Sequence, residues 1–212
     1  RTKLGLDEPL WKQFALWAFA LLTGDLGQSL FWGDPVTTLI GQRAEPTVSL
    51  ALTTISFAVI VAISLGVVAA ANPGTWVDRG VMGFAVMGFS LPVFVVGYML
   101  IFLFAIELKW LPVQGYSRLA EGVVPWLRNL VLPSLALGMA YVALIARITR
   151  TTMLEVLAED YIRTGKAKGV ANRPLLLRHA LKNAAVPIVT VVGIGVALPI
   201  GGVVIPETVF NI

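Results

Sequence analysis

Residues 48–71, VSLALTTISFAVIVAISLGVVAAA, contain no charged side chain. A helix rises about 1.5 Å per residue, so a run of this length can cross a bilayer core of roughly 30 Å. Glu45-Pro46 precedes the run and Asn72-Pro73-Gly74 follows it, and residues of these types are typical of helix ends. The stretch therefore predicts one membrane-spanning helix.

Three further apolar runs predict three further spans, at about 80–106, 130–146 and 184–204. The first of these contains Ser90-Leu91-Pro92, and a proline there removes one backbone hydrogen bond and bends the helix. The last contains Pro199 and several glycines, so we expect close packing and an irregular far end.

The overall composition also indicates a membrane protein. Of the 212 residues, 57% are hydrophobic and 13% are charged, against roughly 45–50% and 25% in soluble domains. The chain has no cysteine, which excludes disulfides and cysteine-ligated metals. The expected fold is all-α, a polytopic helical membrane protein whose transmembrane domain, residues 47–212, has four spanning helices.

The basic residues predict the orientation of these spans. Between the third and fourth spans lie eight of the 16 Lys and Arg residues: Arg147, Arg150, Arg163, Lys166, Lys168, Arg173, Arg178 and Lys182. Such an excess of positive charge is typical of cytoplasmic loops. The turn 72–79 is then also cytoplasmic, whereas the segment 107–128 and both ends of the chain are external.

Residues 1–46 are therefore expected to form an external segment. An external first residue requires an upstream span, so we expect an internal fragment of a subunit with about six spans, lacking the first and last transmembrane helices. Residues 10–22 are too short to cross a bilayer and are interrupted by Lys12. They fit either an amphipathic helix at the membrane interface, anchored by Trp11 and Trp17, or a packed external cap.

The hydrophilic loop at about 150–182 has a pattern of its own. A helix from about Met153 would place Glu159 and Arg163 one turn apart, where opposite charges attract. Gly169 can supply the left-handed residue that ends this helix. Positive-inside topology and anionic lipids explain the basic residues of the loop, but not its small residues or this glycine.

A second short helix is expected after the glycine, at about 173–182. Asn172 offers a cap for it, and Pro174 suits its first turn. Two short helices joined at Gly169 favour a surface that enters a groove of another protein.

The loop resembles the EAA loop of the membrane subunits of bacterial ABC importers, whose pattern is Glu-Ala-Ala, three residues, Gly, nine residues and Ile-x-Leu-Pro. Gly169 matches the glycine, although Arg163-Thr164-Gly165 stands at the Glu-Ala-Ala positions. The variant of the dipeptide, oligopeptide and nickel permeases reads approximately DYVRTARAKG and then RHALRNA with a later proline. Residues 160–169, DYIRTGKAKG, and 178–187, RHALKNAAVP, are similar to both parts of this variant.

Other landmarks of that family occur along the rest of the chain. GDLGQS at 24–29 resembles an external segment of the family, Ser90-Leu91-Pro92 its broken second span, and PETVF at 206–210 the residues that follow its fourth span. The resemblance therefore runs through most of the sequence.

The resemblance implies an ABC importer type I transmembrane domain in the bacterial cytoplasmic (inner) membrane. Its partners would be a second homologous permease subunit, two cytoplasmic ATP-binding subunits and an external or periplasmic substrate-binding protein. ATP and Mg²⁺ would bind to the partner subunits, and this chain would bind no cofactor or metal. The implied ATPase-docking residues are Glu159, Asp160, Tyr161, Arg163, Thr164, Gly165, Lys166, Ala167, Lys168, Gly169, Arg178 and His179.

The residues themselves agree that energy comes from a partner. Gly165-Lys166 is followed by alanine, and no glycine stands five residues before Gly165, so the phosphate-binding P-loop pattern fails. The expected function is therefore transport without enzymatic activity of this chain.

A secondary transporter or channel is the alternative from a different class. Ion-coupled carriers usually place Asp, Glu or His within the membrane, but the four predicted spans contain none of these residues and no Lys or Arg. This favours a conduit driven from outside. A membrane enzyme has less support because the single histidine, His179, lies in the basic loop, and nucleic-acid binding has less still because Tyr161 is the loop's only aromatic residue.

The uncharged spans also bear on the substrate. A path without fixed charges would accept varied substrates through backbone carbonyls and polar side chains, which favours short peptides over the alternative of nickel or another small solute. The candidate residues of the translocation path are Ser90, Pro92, Thr190 and Pro199.

Overall fold

The computed structural model describes residues 9–30, 33–202 and 208–211, and for 196–202 it describes the backbone alone. Regular structure in the described residues is helical, apart from one bridge between Gln28 and Pro35. The chain divides into two compact units, residues 1–46 and 47–212. The expected all-α fold is confirmed.

The helices are α1 (Leu10–Leu22), α2 (Val36–Ala71), α3 (Trp76–Ser90), α4 (Val93–Leu100), α5 (Val123–Leu157), α6 (Asp160–Ala167), α7 (Asn172–Pro174) and α8 (Leu181–Gly202). Two π-helical segments, Ile101–Glu107 and Leu175–Ala180, continue α4 and lead into α8, and Leu119–Glu121 is a 3₁₀ turn. Helix α1 coincides with the predicted amphipathic segment and has no buried residue.

Three of the four predicted spans correspond to single helices, each of which begins before its apolar run. Helix α2 begins at Val36 and continues through Pro46, so the prediction that Glu45-Pro46 bounds this helix is wrong. The proline costs one backbone hydrogen bond but does not end the helix. Helix α5 likewise extends beyond 130–146 at both ends, because a run of apolar residues marks membrane depth and not the end of a helix.

The second span is broken more sharply than a bent helix would be. The direction of the chain changes by 106° between Trp76–Ser90 and Val93–Glu107. Leu91 is extended, with φ −92° and ψ 126°, because a residue before proline avoids the helical conformation. By length and composition, three described helices can cross a membrane alone, and a fourth crossing exists if the bent pair is counted as one span.

Helix α8 is regular over the part that the structure describes. It remains helical through Gly202, so the irregular far end expected near Pro199 does not occur up to that residue. Residues 203–204 of the predicted span, and 206–207 of the PETVF landmark, lie outside the described residues.

Helix α5 is central to the unit 47–212, because α3, α4 and α8 all pack against it. Helix α2 approaches it so closely that a Cβ on Gly66 would lie 2.5 Å from the Cβ of Thr149. Farther along, the hydroxyls of Thr53 on α2 and Ser134 on α5 are 2.7 Å apart. Close backbone approach and hydroxyl contacts are typical of helix packing in membranes.

The two ends of this unit differ in chemistry. At one end, which we call the basic end, the turn at Asn72-Pro73 and the loop residues Lys166 and Asn172 line one cavity of about 430 Å³. At the other end, Trp126 donates its indole N–H to the hydroxyl of Ser49, which also lies 3.0 Å from that of Tyr116. The basic residues predict that the turn 72–79 and the basic loop are both cytoplasmic. The two segments should therefore lie at the same end of the unit.

Candidate docking site at the basic end

One fully buried side chain, that of Ile162, anchors helix α6 to the rest of the protein. Ile162 is completely buried and packs in the main apolar cluster with Met153 of α5 and with Leu175 and Ala180 of the π-helical segment Leu175–Ala180. Its neighbours in sequence, Tyr161 and Arg163, are exposed. Burial of one face therefore fixes α6 in place and leaves its other face open.

A glycine ends α6 in the expected way. Gly169 has φ +82°, a left-handed conformation that is costly for residues with a side chain. The N–H of Gly169 donates to the carbonyl of Lys166, and the N–H of Val170 donates to that of Gly165. These bonds satisfy the last carbonyls of the helix and turn the chain toward α7.

Gly165 is needed for packing rather than for a turn. A Cβ on this residue would meet the Cδ1 of Leu175 at 3.1 Å, so the small residue allows the two helices of the loop to approach. Tyr161 adds a polar contact between α6 and α8, because Asn183 of α8 donates its side-chain N–H to the Tyr161 hydroxyl at 2.6 Å.

Three local expectations for this loop are wrong in detail. No single helix runs from Met153 to Arg163, because α5 ends at Leu157 and Glu159 is an extended residue before α6. Arg163 pairs with Asp160 at 3.4 Å, and not with Glu159, because only Asp160 is inside the same helix. Asn172 is the first residue of α7, and Ala171 takes the capping position.

The predicted docking residues lie on α6, at its two ends and on the π-helical segment that packs against it. All of them except Gly165, which is half-buried, are exposed: Glu159, Asp160, Tyr161, Arg163, Thr164, Lys166, Ala167, Lys168, Gly169, Arg178 and His179. Arg178 and His179 lie on the π-helical segment Leu175–Ala180, which packs against α6. Their role in docking stays a prediction.

The predicted path residues lie at the break of the second span and on α8, and their role stays a prediction. Ser90 and Thr190 are exposed, and each hydroxyl donates at 2.9 Å to a carbonyl four residues earlier, of Val86 and Val186. Pro92 is the capping residue immediately before α4, after the break. Pro199 is within α8, but its side chain lies outside the described residues.

An ion pair next to the docking surface was missed by the sequence analysis. Asp78, in the turn before the second predicted span, is 3% exposed and accepts two hydrogen bonds from the guanidinium of Arg150 on α5, with NH2 to Oδ2 at 2.6 Å. The N–H of Gly74 also donates to Oδ2, at 2.9 Å. These donors, Arg150 first, compensate the buried negative charge of the Asp78 carboxylate.

The available signal for this pair was weak. In the sequence, Arg150 is one of many basic residues of the loop and Asp78 is one residue of a short turn. Nothing in their spacing indicates that they contact each other. The pair joins the turn 72–79 to α5, the helix that leads directly into α6. The pair thus ties the first turn of α3 to the helix that precedes α6.

In the ranges 9–30, 33–202 and 208–211, no three side chains of His, Cys, Asp or Glu are grouped so that they could hold a metal ion.

Long apolar helices around a central α5, with an exposed helical loop at the basic end, define a polytopic membrane subunit of transport type. The model of the family described as binding-protein-dependent transport system inner membrane component matches residues 62–212. The chain belongs to this family of inner membrane transport subunits. The resemblance to ABC importer permeases and the inner-membrane location are thereby confirmed.

Curated relatives match nearly the whole chain. A probable peptide ABC transporter permease protein of Sinorhizobium fredii is 54% identical over 212 residues, which are 100% of this chain and 68% of the relative. A putative peptide transport system permease protein of Brucella abortus is 40% identical, over 99% of this chain and 67% of the relative. A glutathione transport system permease protein of Escherichia coli is 41% identical, over 100% and 66%.

Proposed function

We propose that the chain is the permease subunit of an ATP-driven importer of di- and oligopeptides. It forms the translocation path with a second, homologous permease subunit. Two cytoplasmic ATP-binding subunits, which carry ATP and Mg²⁺, dock on the surface around α6 and Gly169. An external or periplasmic substrate-binding protein delivers the peptide.

The observation that carries the docking role is the construction of α6. A single buried residue, Ile162, anchors the helix, while the polar and basic residues of its other face are exposed. The helix is also linked to the spans, because α5 leads into it and the π-helical segment Leu175–Ala180, which packs against it, continues into α8. A partner that moves α6 therefore moves the membrane helices with it.

The peptide substrate is supported by the relatives and by the composition of the spans. The relatives described above bear names that specify peptide or glutathione transport, and glutathione is itself a tripeptide. A nickel permease is the less favoured alternative. Import of peptides requires no fixed metal ligands in the path.

Cross-linking is the direct test of docking. In the full-length subunit, Lys166→Cys on the exposed face of α6 should form a cross-link to the ATP-binding subunit, and its yield should change when nucleotide is added. Residues 1–212 contain no cysteine, and the unsubstituted full-length subunit, treated in the same way, shows which adducts depend on the introduced residue. Adducts are resolved by gel electrophoresis and identified by mass spectrometry.

The matched control is Arg118→Cys, an exposed position in the predicted external segment 107–128. It should give no adduct with the ATP-binding subunit. Equal adducts at both positions, or none at Lys166→Cys in an active transporter, would contradict docking through α6.

Uptake by the complete transporter tests the substrate. Proteoliposomes that contain both permease subunits, both ATP-binding subunits and the binding protein should accumulate radiolabelled di- and tripeptides in an ATP-dependent manner. They should not accumulate Ni²⁺ or its small chelates. Uptake of Ni²⁺ without uptake of peptides would show that the proposed substrate class is wrong.

A further inference from the structure

Helix α5 carries a stripe of three polar residues near the basic end. Arg147, Thr151 and Glu155 are spaced by four residues, which places them on one helix face, and all three are exposed. The stripe presents a cation, a hydroxyl and an anion in order along the helix. From Arg147 to Glu155 the helix rises about 12 Å.

Cavities flank this stripe on both sides. Between α3 and α5 lies a cavity of about 390 Å³, whose apolar wall is formed by Met82, Val86 and Phe89. Between α5 and α8 lies a second cavity of about 370 Å³, with Leu144, Ile148 and Pro187 in its wall. Arg147 and Thr151 line both cavities, and Glu155 lines the second with them; we call these two adjoining cavities together the α5 groove.

The α5 groove also lies beside the predicted path residues. Phe89 immediately precedes Ser90, whose hydroxyl bonds to the carbonyl of Val86 in the same wall. On the other side, Pro187 is one helical turn from Thr190. The walls of the groove thus continue along α3 and α8 toward Ser90 and Thr190.

The charges of the groove are available for a ligand. Arg150 also lines the first cavity, but its guanidinium is committed to Asp78. Within the described part of the chain, the side chains of Arg147 and Glu155 form no ion pair. An exposed charge on a loop would need no explanation, whereas opposite charges along one groove with apolar walls are typical of a ligand site.

We propose that the α5 groove binds the short peptide during translocation, with Arg147 holding the terminal carboxylate and Glu155 the terminal ammonium group. Guanidinium and carboxylate groups form paired, charge-assisted hydrogen bonds. An extended chain spans about 3.3–3.6 Å per residue, so a helix rise of about 12 Å corresponds to roughly three residues. This inference rests on the proposed function and adds to it the recognition of both free ends of the peptide by the permease itself.

Chemically blocked peptides test this pairing in the complete transporter. Proteoliposome uptake is measured for a tripeptide with free ends, for the same peptide amidated at its C-terminus, and for its N-acetylated form. For each peptide, the uptake rate of a variant is divided by that of wild type. The binding protein is the same in both, so its own preference among the three peptides does not affect this ratio. Arg79→Gln is the matched control, since it removes one exposed cation at the basic end outside the groove.

Arg147→Gln should lower uptake of the free-ended and N-acetylated peptides about tenfold, the usual cost of losing a hydrogen bond to a charged group. It should leave uptake of the amidated peptide within about twofold of wild type, because that peptide has no terminal carboxylate for Arg147 to bind. Glu155→Gln should show the converse pattern, with only the N-acetylated peptide unaffected. Arg79→Gln should change none of the three.

Several outcomes would overturn the inference while leaving the proposed function intact. If wild type transports peptides but Arg147→Gln lowers uptake of free and amidated forms equally, Arg147 does not bind the substrate carboxylate. If that uniform loss occurs only in vesicles that contain anionic lipid, Arg147 binds a lipid phosphate instead. Failure of wild type to transport any of these peptides would contradict the proposed function itself.

Discussion

Gly66→Val is expected to prevent this subunit from reaching a stable fold. A Cβ at this position would lie 2.5 Å from the Cβ of Thr149 and 2.8 Å from the backbone carbonyl oxygen of Ala146. Helices α2 and α5 would have to separate, because a backbone oxygen cannot move aside as a flexible side chain can. Overpacking typically costs about 1–3 kcal/mol, and a clash with backbone places this variant at or above the upper end.

The measurement is thermal unfolding of the full-length subunit purified in detergent, together with its yield in the membrane. Gly83→Val is the matched control, because Gly83 also lies in a helix but nothing stands within 4 Å of its missing Cβ. We expect this control to lie within about 0.5 kcal/mol of wild type. Equal stability of the two variants would show that α2 and α5 do not approach closely at Gly66.

Asp78→Ala is the second substitution with a large expected effect. It would leave the guanidinium of Arg150, whose side chain is 24% exposed, without its carboxylate, and would also remove the acceptor for the N–H of Gly74. Breaking a buried pair by removing one partner costs about 3–5 kcal/mol, and the partial exposure of Arg150 points to the lower end, about 3 kcal/mol. Unfolding of the full-length protein in detergent measures this loss.

Asp160→Ala provides the comparison for this variant. Asp160 also lies in the first turn of a helix and pairs with an arginine, Arg163, but both side chains are largely exposed. Water already solvates such a pair, so its removal should hardly change the unfolding temperature. Asp78→Asn should be intermediate, since an amide oxygen can still accept the hydrogen bond from Gly74. Similar effects for Asp78→Ala and Asp160→Ala would contradict burial of the first pair.

Much of the fold follows from local pattern. The apolar runs predict where the chain crosses the membrane, because bilayer thickness sets the length of each crossing. Pro92 predicts the break of the second span, since proline lacks an N–H. The helix ends were less predictable. Pro46 does not end α2, and Arg147 does not end α5, because a helix ends where its hydrogen bonding and packing end and not where charge begins.

The docking surface was predicted in part from its own residues. The glycine stop at Gly169 and the two short helices are local features, and the structure contains both. The pairing of Arg163 was misassigned, because spacing alone cannot tell that Glu159 precedes the helix while Asp160 begins it.

The sequence by itself determined that this is a polytopic helical membrane subunit, where its apolar spans lie, and that its basic loop has the pattern of an ABC permease. These properties depend on composition and short-range spacing. Only the tertiary structure decided that Gly66 and not Gly83 contacts another helix, that Arg150 is committed to Asp78, and that Arg147 faces a groove. Each of these depends on which helices lie side by side, and residues far apart in sequence carry no local signal of the neighbour that packing will give them.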